Sequence, residues 1–320
     1  MESRKLQLIG GSSYMISLPK NWIKQNELDQ GDEILLDISN DIIKIIPKKY
    51  TEKHRIVRAV VNNIPKYDEN FLRRFIIALY IQGLDEIILQ DKLLSPKIVE
   101  MISRIARGVI GMEVIDASGG KVVLRSLTTA EFDVEGVLRR MSQIISGMMD
   151  SIIDCIRIND RDGLKEIPKH EEDTDRLYLL AVRLENRRIR DIMSPSKWSE
   201  MRHILGMRIA AKVLEEIADA LVDFSENLYS HENYEDIAER YVETLPSVND
   251  VFDRVMVAYL NSDLERANEA IDMADELENE LLSKLKEKDA LLIYPLVDIC
   301  RKIKGIGEIA INRSVREMIT

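Results

Sequence analysis

The stretch Glu171-Glu172-Asp173-Thr174-Asp175-Arg176-Leu177 sets Glu171 and Asp175 four residues apart. Further on, Leu214-Glu215-Glu216-Ile217-Ala218-Asp219 does the same for Glu215 and Asp219, with Asp223 one turn later. On a helix this interval puts both side chains on one face. Two such helices side by side can surround a cation with carboxylate oxygens. Spacing alone is weak, because 56 acidic residues in a chain of 320 yield roughly ten such pairs by chance. The weight comes from the pairs falling on two helices of one repeating unit.

From Phe132 to Thr320 strand signals vanish, and apolar residues recur at intervals of three and four. Six helical segments follow, at about 134–158, 161–190, 197–230, 234–261, 263–287 and 291–318. Breaks are expected at Asn159-Asp160, Ser194-Pro195, His231-Glu232-Asn233, Asn261-Ser262 and Lys288-Asp289. Pro168, Pro246 and Pro295 lie within segments, so some helices kink or start later than the periodicity suggests. The six resolve into two copies of a three-helix unit. Asp160 to Leu164 and the acidic stretch after it return, offset by 103, as Asp263 to Ala267 and Ala274-Asp275-Glu276-Leu277-Glu278-Asn279-Glu280. The third helices correspond at an offset of 89, Glu215, Asp219 and Asp223 matching Lys304, Glu308 and Asn312. The difference of 14 fits an extra stretch around Met193–Leu205 in the first copy. In the second copy Ala274 stands for Glu171 and Lys304 for Glu215. The lysine is expected to occupy the cation's place and pair with Glu278 or Glu308. The first copy is therefore the candidate metal site (Glu171, Asp175, Glu215, Asp219, Asp223), and the second a degenerate one (Glu278, Lys304, Glu308).

The rest of the chain has other textures. Residues 1–50 alternate β-branched residues with turn signals, and two runs, 33–39 and 41–46, form a hairpin turning at Ser39-Asn40-Asp41. Fifty residues bury too little to stand alone easily, and dimerisation would relieve this. Residues 55–127 order as βαβαββ: strands at 56–61, 86–89, 112–116 and 121–127, and helices at 69–82 and from Pro96 to about Val109, capped by Ser95. The predicted architecture is multidomain. It joins a β domain at 1–52, a small α/β domain at 53–130 and an all-α domain of tandem three-helix bundles at 131–320, with repeats 131–231 and 232–320.

Charge narrows the function. The net charge of −11 argues against a chain-wide nucleic-acid footprint. Residues 1–55 hold nine Lys/Arg against eight Asp/Glu, while the other 265 hold 36 against 48. Contact with nucleic acid thus belongs at the N-terminus, where Arg4, Lys5, Lys20 and Lys24 are a modest basic set that dimerisation would double. Cys155 and Cys300 form no disulfide scaffold and sit on apolar helical faces. The four histidines (His54, His170, His203, His231) are scattered, so no zinc spacing emerges. Neither a phosphate-binding glycine loop nor a nucleophile elbow is present, and the chain is not expected to be an enzyme. Gly305 and Gly307 suit close helix packing. The opening residues lack the apolar stretch of a signal peptide and no run reaches 18 apolar residues, which predicts a cytoplasmic protein without membrane insertion.

Two resemblances join these readings. Arg4-Lys5-Leu6-Gln7-Leu8-Ile9-Gly10-Gly11-Ser12-Ser13-Tyr14-Met15-Ile16-Ser17-Leu18-Pro19-Lys20, followed by Leu28, Gly31-Asp32-Glu33 and a closing strand to Pro47, resembles the AbrB/MazE/SpoVT family of swapped-hairpin DNA-binding domains. That resemblance implies two chains interlocked in one β-barrel, a homodimer, with Arg4, Lys5, Ser12, Ser13 and Lys20 as DNA-binding residues. Residues 132–320 resemble PhoU, the phosphate-uptake regulator of two three-helix repeats, through Glu171 to Leu177 and Leu214 to Asp219, with Ile303-Lys304-Gly305-Ile306-Gly307-Glu308 as the degenerate copy. It implies bound metal (iron or zinc, alternatively magnesium or manganese), no organic cofactor, and phosphate-transporter or sensor-kinase partners. The fusion is similar to a class of archaeal phosphate-uptake regulators. It implies a DNA-binding transcriptional regulator with a metal-binding sensor domain. The alternative is a transporter or kinase adaptor whose AbrB-like unit only dimerises. A metal-dependent phosphohydrolase is the remaining, weakest reading.

Overall fold

The computed structural model describes residues 3–39, 42–49, 56–127, 133–191, 198–285 and 290–319. The expected turn at Asn40-Asp41 and the breaks at Ser194-Pro195 and Lys288-Asp289 lie outside these residues. The chain divides into two compact units, residues 1–56 and residues 57–320 without 194–196.

In the first unit, β1 (Gln7–Ile9) and β2 (Ser13–Met15) pair antiparallel around Gly10 and Gly11. Both glycines have positive φ, 62° and 76°, which a side chain would disfavour. Helix α1 (Lys20–Gln25) follows Pro19. A second hairpin pairs β3 (Ile34–Ser39) with β4 (Ile42–Pro47), as the alternation predicted. The two strand pairs remain separate sheets. Apolar side chains of both stand in solvent, with Tyr14 73%, Ile38 68% and Ile43 61% exposed, while Leu28 is buried.

The second unit opens with a four-stranded sheet, ordered β5 (Arg58–Asn62), β6 (Glu86–Gln90), β8 (Lys121–Ser126), β7 (Met112–Ser118). Strands β5 and β6 are parallel, and the other pairs antiparallel. Helix α2 (Glu69–Tyr80) is capped by the Asp68 carboxylate, which accepts from the Phe71 N–H. Helix α3 (Pro96–Arg107) is capped by Ser95 as expected. Leu72, Ile76, Ile87, Leu89, Ile102 and Leu124 close the core between sheet and helices.

The helical part contains α4 (Val134–Arg157), α5 (Ile167–Asp191) after a 3-10 turn at Asp162–Glu166, and α6 (Trp198–Ser230). The predicted segment 234–261 is broken. A short α7 (Tyr234–Ala238) and a 3-10 turn precede α8 (Thr244–Asn261), whose first turn holds Pro246. Helices α9 (Leu264–Ser283) and α10 (Ala290–Ile319) complete the second copy, with Pro295 inside α10. Among the described residues no helix is long and apolar enough to cross a membrane.

The offset of 103 holds at the level of single bonds. Asn159 and Ser262 both take left-handed φ, 58° and 54°. The Asp160 N–H donates to the Cys155 carbonyl, and the Asp263 N–H to that of Ala258. Each aspartate side chain then accepts from the backbone N–H three residues on, at Gly163 and Arg266. Across the α4–α8 contact the Ser146 hydroxyl donates to Asp253, and the Asn249 amide donates to Asp150. These bonds are exchanged between equivalent positions, as a two-fold relation requires. Gly307 confirms close packing: a Cβ there would meet Ile271 Cγ1 at 2.5 Å, whereas one at Gly305 would meet nothing within 4 Å.

The sheet layer is tied to the bundle by α5. Arg183, fully buried, donates from Nη1 to the Tyr80 carbonyl (2.6 Å) and from Nη2 to that of Leu84 (2.5 Å). Its guanidinium lies over the Tyr80 ring, 4.8 Å from the centroid. Asn186 caps the Ile81 carbonyl, and Arg187 pairs with Asp85 at 3.0 Å. Arg183→Leu removes both bonds and takes the donor from the Leu84 carbonyl, while that of Tyr80 keeps the Gly83 N–H at 3.2 Å, so it should cost about 2–4 kcal/mol of unfolding free energy. Denaturant titration followed by circular dichroism measures this; a loss below about 0.5 kcal/mol would contradict the tie's structural weight.

Candidate functional site

Helices α5 and α6 pack side by side, and three of the singled-out carboxylates converge between them. Glu171, Asp175 and Asp219 each bring one oxygen to within 4.8 Å of the others. Glu171 and Asp175 lie one turn apart on α5 and are partly buried, while Asp219 projects from α6 into solvent. Glu215 stands nearby, its carboxylate held by Lys212 one turn earlier on α6. Asp223 is exposed and outside the trio, and His170 is likewise an exposed side chain.

The trio is electrostatically strained. Burial raises the Glu171 carboxyl from 4.5 to about 7, and the Asp175 and Asp219 charges push the same way. Burial also raises Asp175, with Asp219 adding to it and the hydrogen bond with Glu171 opposing. Glu171 thus carries the proton that the pair shares. Burial raises Glu215 too, with Lys212 opposing. A cation among these oxygens would reverse the repulsion. The donor set is all carboxylate, with no imidazole or thiolate in the trio, which suits a hard cation.

The second copy is closed by cationic side chains. Ala274 is fully buried where Glu171 stands in the first copy. Lys304 Nζ donates to Glu278 at 2.6 Å and to Asp275 at 2.5 Å. Arg301 Nε adds a bond to Glu278 at 2.7 Å. The Lys304 bond is the largest cause holding Glu278 below the usual carboxylate range. The lysine's second partner is Asp275 rather than Glu308, which is exposed on α10.

In the N-terminal unit, Arg4 and Lys5 precede β1, Ser12 and Ser13 lie at the turn into β2, and Lys20 opens α1; all five are exposed. Sequence reasoning missed a buried polar group in the bundle. Glu185 is fully buried and accepts from Arg208 Nη1 at 3.0 Å, and Arg313 donates to Glu135 at 3.0 Å. Burial lifts Glu185 to about 7. Its α5 neighbours read as a solvated charged face in one dimension, so only the packing discloses it.

The raised Glu171 carboxyl sets a sign. In the metal-free protein a folded-state pKa above 4.5 favours folding at low pH, and that contribution fades as pH rises through about 7. Metal must displace the same proton, so affinity should rise by about tenfold per unit up to pH 7 and then level off. Manganese titration monitored by electron paramagnetic resonance between about pH 5.5 and 8 reads this. A flat profile, or one unchanged in Glu171→Gln, would contradict the assignment.

Residues 7–53 match the family model of MazE, a bacterial antitoxin described by antidote–toxin recognition, and residues 138–228 match that of the PhoU domain. Among curated proteins no match was found. The PhoU match covers the first copy of the repeat, including all three converging carboxylates. The chain therefore joins a MazE-like N-terminal segment to a PhoU-like helical segment, the two-part architecture that its motifs indicated.

Proposed function

We propose that this protein is a homodimeric, non-catalytic regulator of phosphate uptake in the cytoplasm, which binds operator DNA through its N-terminal unit and senses a metal through its first helical repeat. The observation that carries the reading is one chain holding both a MazE-like unit with exposed basic residues and a PhoU domain with three converging carboxylates. The exposed apolar faces of β1 to β4 support dimerisation, because a second chain's hairpins would bury what one chain leaves in water. Doubling the chain also doubles Arg4, Lys5 and Lys20, raising the phosphate contacts available to DNA. The oxygen-only trio favours manganese, magnesium or iron over zinc. Phosphate-transport or sensor-kinase components are the partners that the PhoU match suggests.

The rival is an adaptor that uses the N-terminal unit for dimerisation alone. Recovery of genomic DNA fragments on the purified protein at about 100 mM salt separates the two. Enrichment beside phosphate-transport genes is expected; a folded dimer that enriches nothing would favour the adaptor. Arg4→Ala with Lys5→Ala should lower DNA affinity by at least about tenfold and flatten its salt dependence while the dimer persists in sedimentation. Unchanged affinity would remove these residues from the DNA-binding face.

A further inference from the structure

Among the described residues three carboxylates are buried, and they are held in different ways. Glu86 receives Arg58 on Oε1 and Arg125 on Oε2. Glu278 receives Arg301 on Oε1 and Lys304 on Oε2. Glu185, the most deeply buried of the three, receives Arg208 alone, from Nη1 to Oε2 at 3.0 Å. Its other oxygen, Oε1, is buried without a hydrogen-bond partner. The Arg208 side chain is itself 39% exposed, so water screens the charge it offers. Two cations on two oxygens can offset the lost hydration of a carboxylate. One half-exposed cation on one oxygen offsets only part of it.

The helices around Glu185 bring other ionisable groups, and each is otherwise engaged. Besides Arg208, α6 carries His203, whose Nε2 lies 3.3 Å from Glu135 of α4. From α8 comes Tyr259, which feels the Glu185 charge. From α10, Arg313 lies over the Tyr259 ring and donates from Nη2 to Glu135 at 3.0 Å. On α5 itself, Arg183 and Arg187 turn to the sheet layer, and Arg188 is exposed. Burial pushes Tyr259 up to about 12, so it stays neutral, and burial lowers His203. Burial lifts Glu185 to about 7, so its charge changes near neutrality.

We propose that Glu185 is a proton-operated latch between α5 and α6: neutral, it lets the C-terminal half of α5 pack on α6, and ionised, it loosens that contact. The neutral carboxyl leaves at most one O–H unpaired, which costs far less than an unpaired charge held away from water. The stability it contributes is complete below the ordinary carboxyl value of 4.5 and is lost as pH rises through about 7. The same stretch of α5 grips the sheet layer through Arg183, Asn186 and Arg187. Loss of the proton therefore loosens the layer's anchor as well. The latch needs neither metal nor DNA.

Hydrogen–deuterium exchange on the full-length protein with a chelator present, between about pH 6 and 8, tests this once rates are corrected for intrinsic exchange. Protection of residues 182–191 on α5 and 202–210 on α6 should fall by about tenfold across that range. Glu185→Gln keeps the shape and stays neutral, so it should abolish the fall. Glu171→Gln removes the other carboxyl that burial lifts to about 7, and should leave the fall in place. Arg208→Gln should move the midpoint up by at least about half a pH unit, because Arg208 is the group that opposes the rise. That variant carries the test if Glu185→Gln does not fold. Flat protection in the native chain would overturn the proposal. So would a fall that survives Glu185→Gln, one that Glu171→Gln removes, or a midpoint that Arg208→Gln leaves in place.

Discussion

One buried guanidinium organises the larger part of this molecule. Arg183 satisfies the Tyr80 and Leu84 carbonyls, the end of α2 and the turn that leads into β6. Without it the Leu84 carbonyl would lose its donor and that of Tyr80 would keep only the Gly83 N–H, at a cost comparable to a lost hydrogen bond each. The nitrogen Nε of the same side chain has no partner among the described residues, so the contact is held by two strong bonds and a ring rather than by full satisfaction. Eight residues earlier on the same helix is Asp175, about 12 Å away along the axis. Helix α5 therefore does two things: its C-terminal half grips the sheet layer, and its N-terminal half presents the carboxylates. The grip fixes how α2 and α3 sit against the helix that carries those carboxylates.

The tandem repeat explains why, of its two equivalent acidic positions, one is open and the other closed by cations. Both copies share the left-handed break at Asn159 and Ser262, the aspartate caps that follow, and reciprocal bonds across α4 and α8. The backbone of the unit is thus preserved where the chemistry has diverged. In the first copy the charges of Glu171 and Asp175 repel each other, and a proton on Glu171 relieves them. In the second, Ala274 removes one carboxylate and Lys304 supplies a permanent ammonium to Glu278 and Asp275. A covalently tethered charge cannot be exchanged with solution, so Lys304 holds that place in the second copy permanently.

Much of this was legible in the sequence because it is local. The Ser95-Pro96 start of α3 and the break at Asn159-Asp160 are properties of a few adjacent residues. The strand order β5-β6-β8-β7 was not, since pairing is decided by contacts distant in sequence. Nor was the split of 234–261, where apolar periodicity runs through a 3-10 turn without interruption. The acidic spacing pointed to Glu171, Asp175 and Asp219, but it also offered Glu215 and Asp223. Spacing fixes a helix face without saying what a neighbouring lysine takes or how far the face extends past the helix contact. Arg183 and Glu185 were invisible for a related reason. Charges in a polar run are assumed to be solvated, and only the opposing carbonyls or arginine reveal that they are not.

The account joins two functions in one chain, so its most direct test is whether they are linked. Operator or genomic-fragment affinity should be measured on the metal-free and the manganese-loaded protein, and again on Glu171→Gln with Asp219→Asn. The account predicts a change of at least about fivefold between the two states of the native chain, and none in the double variant. Identical affinities with and without bound manganese would contradict a metal-sensing regulator and leave the helical repeat with another task.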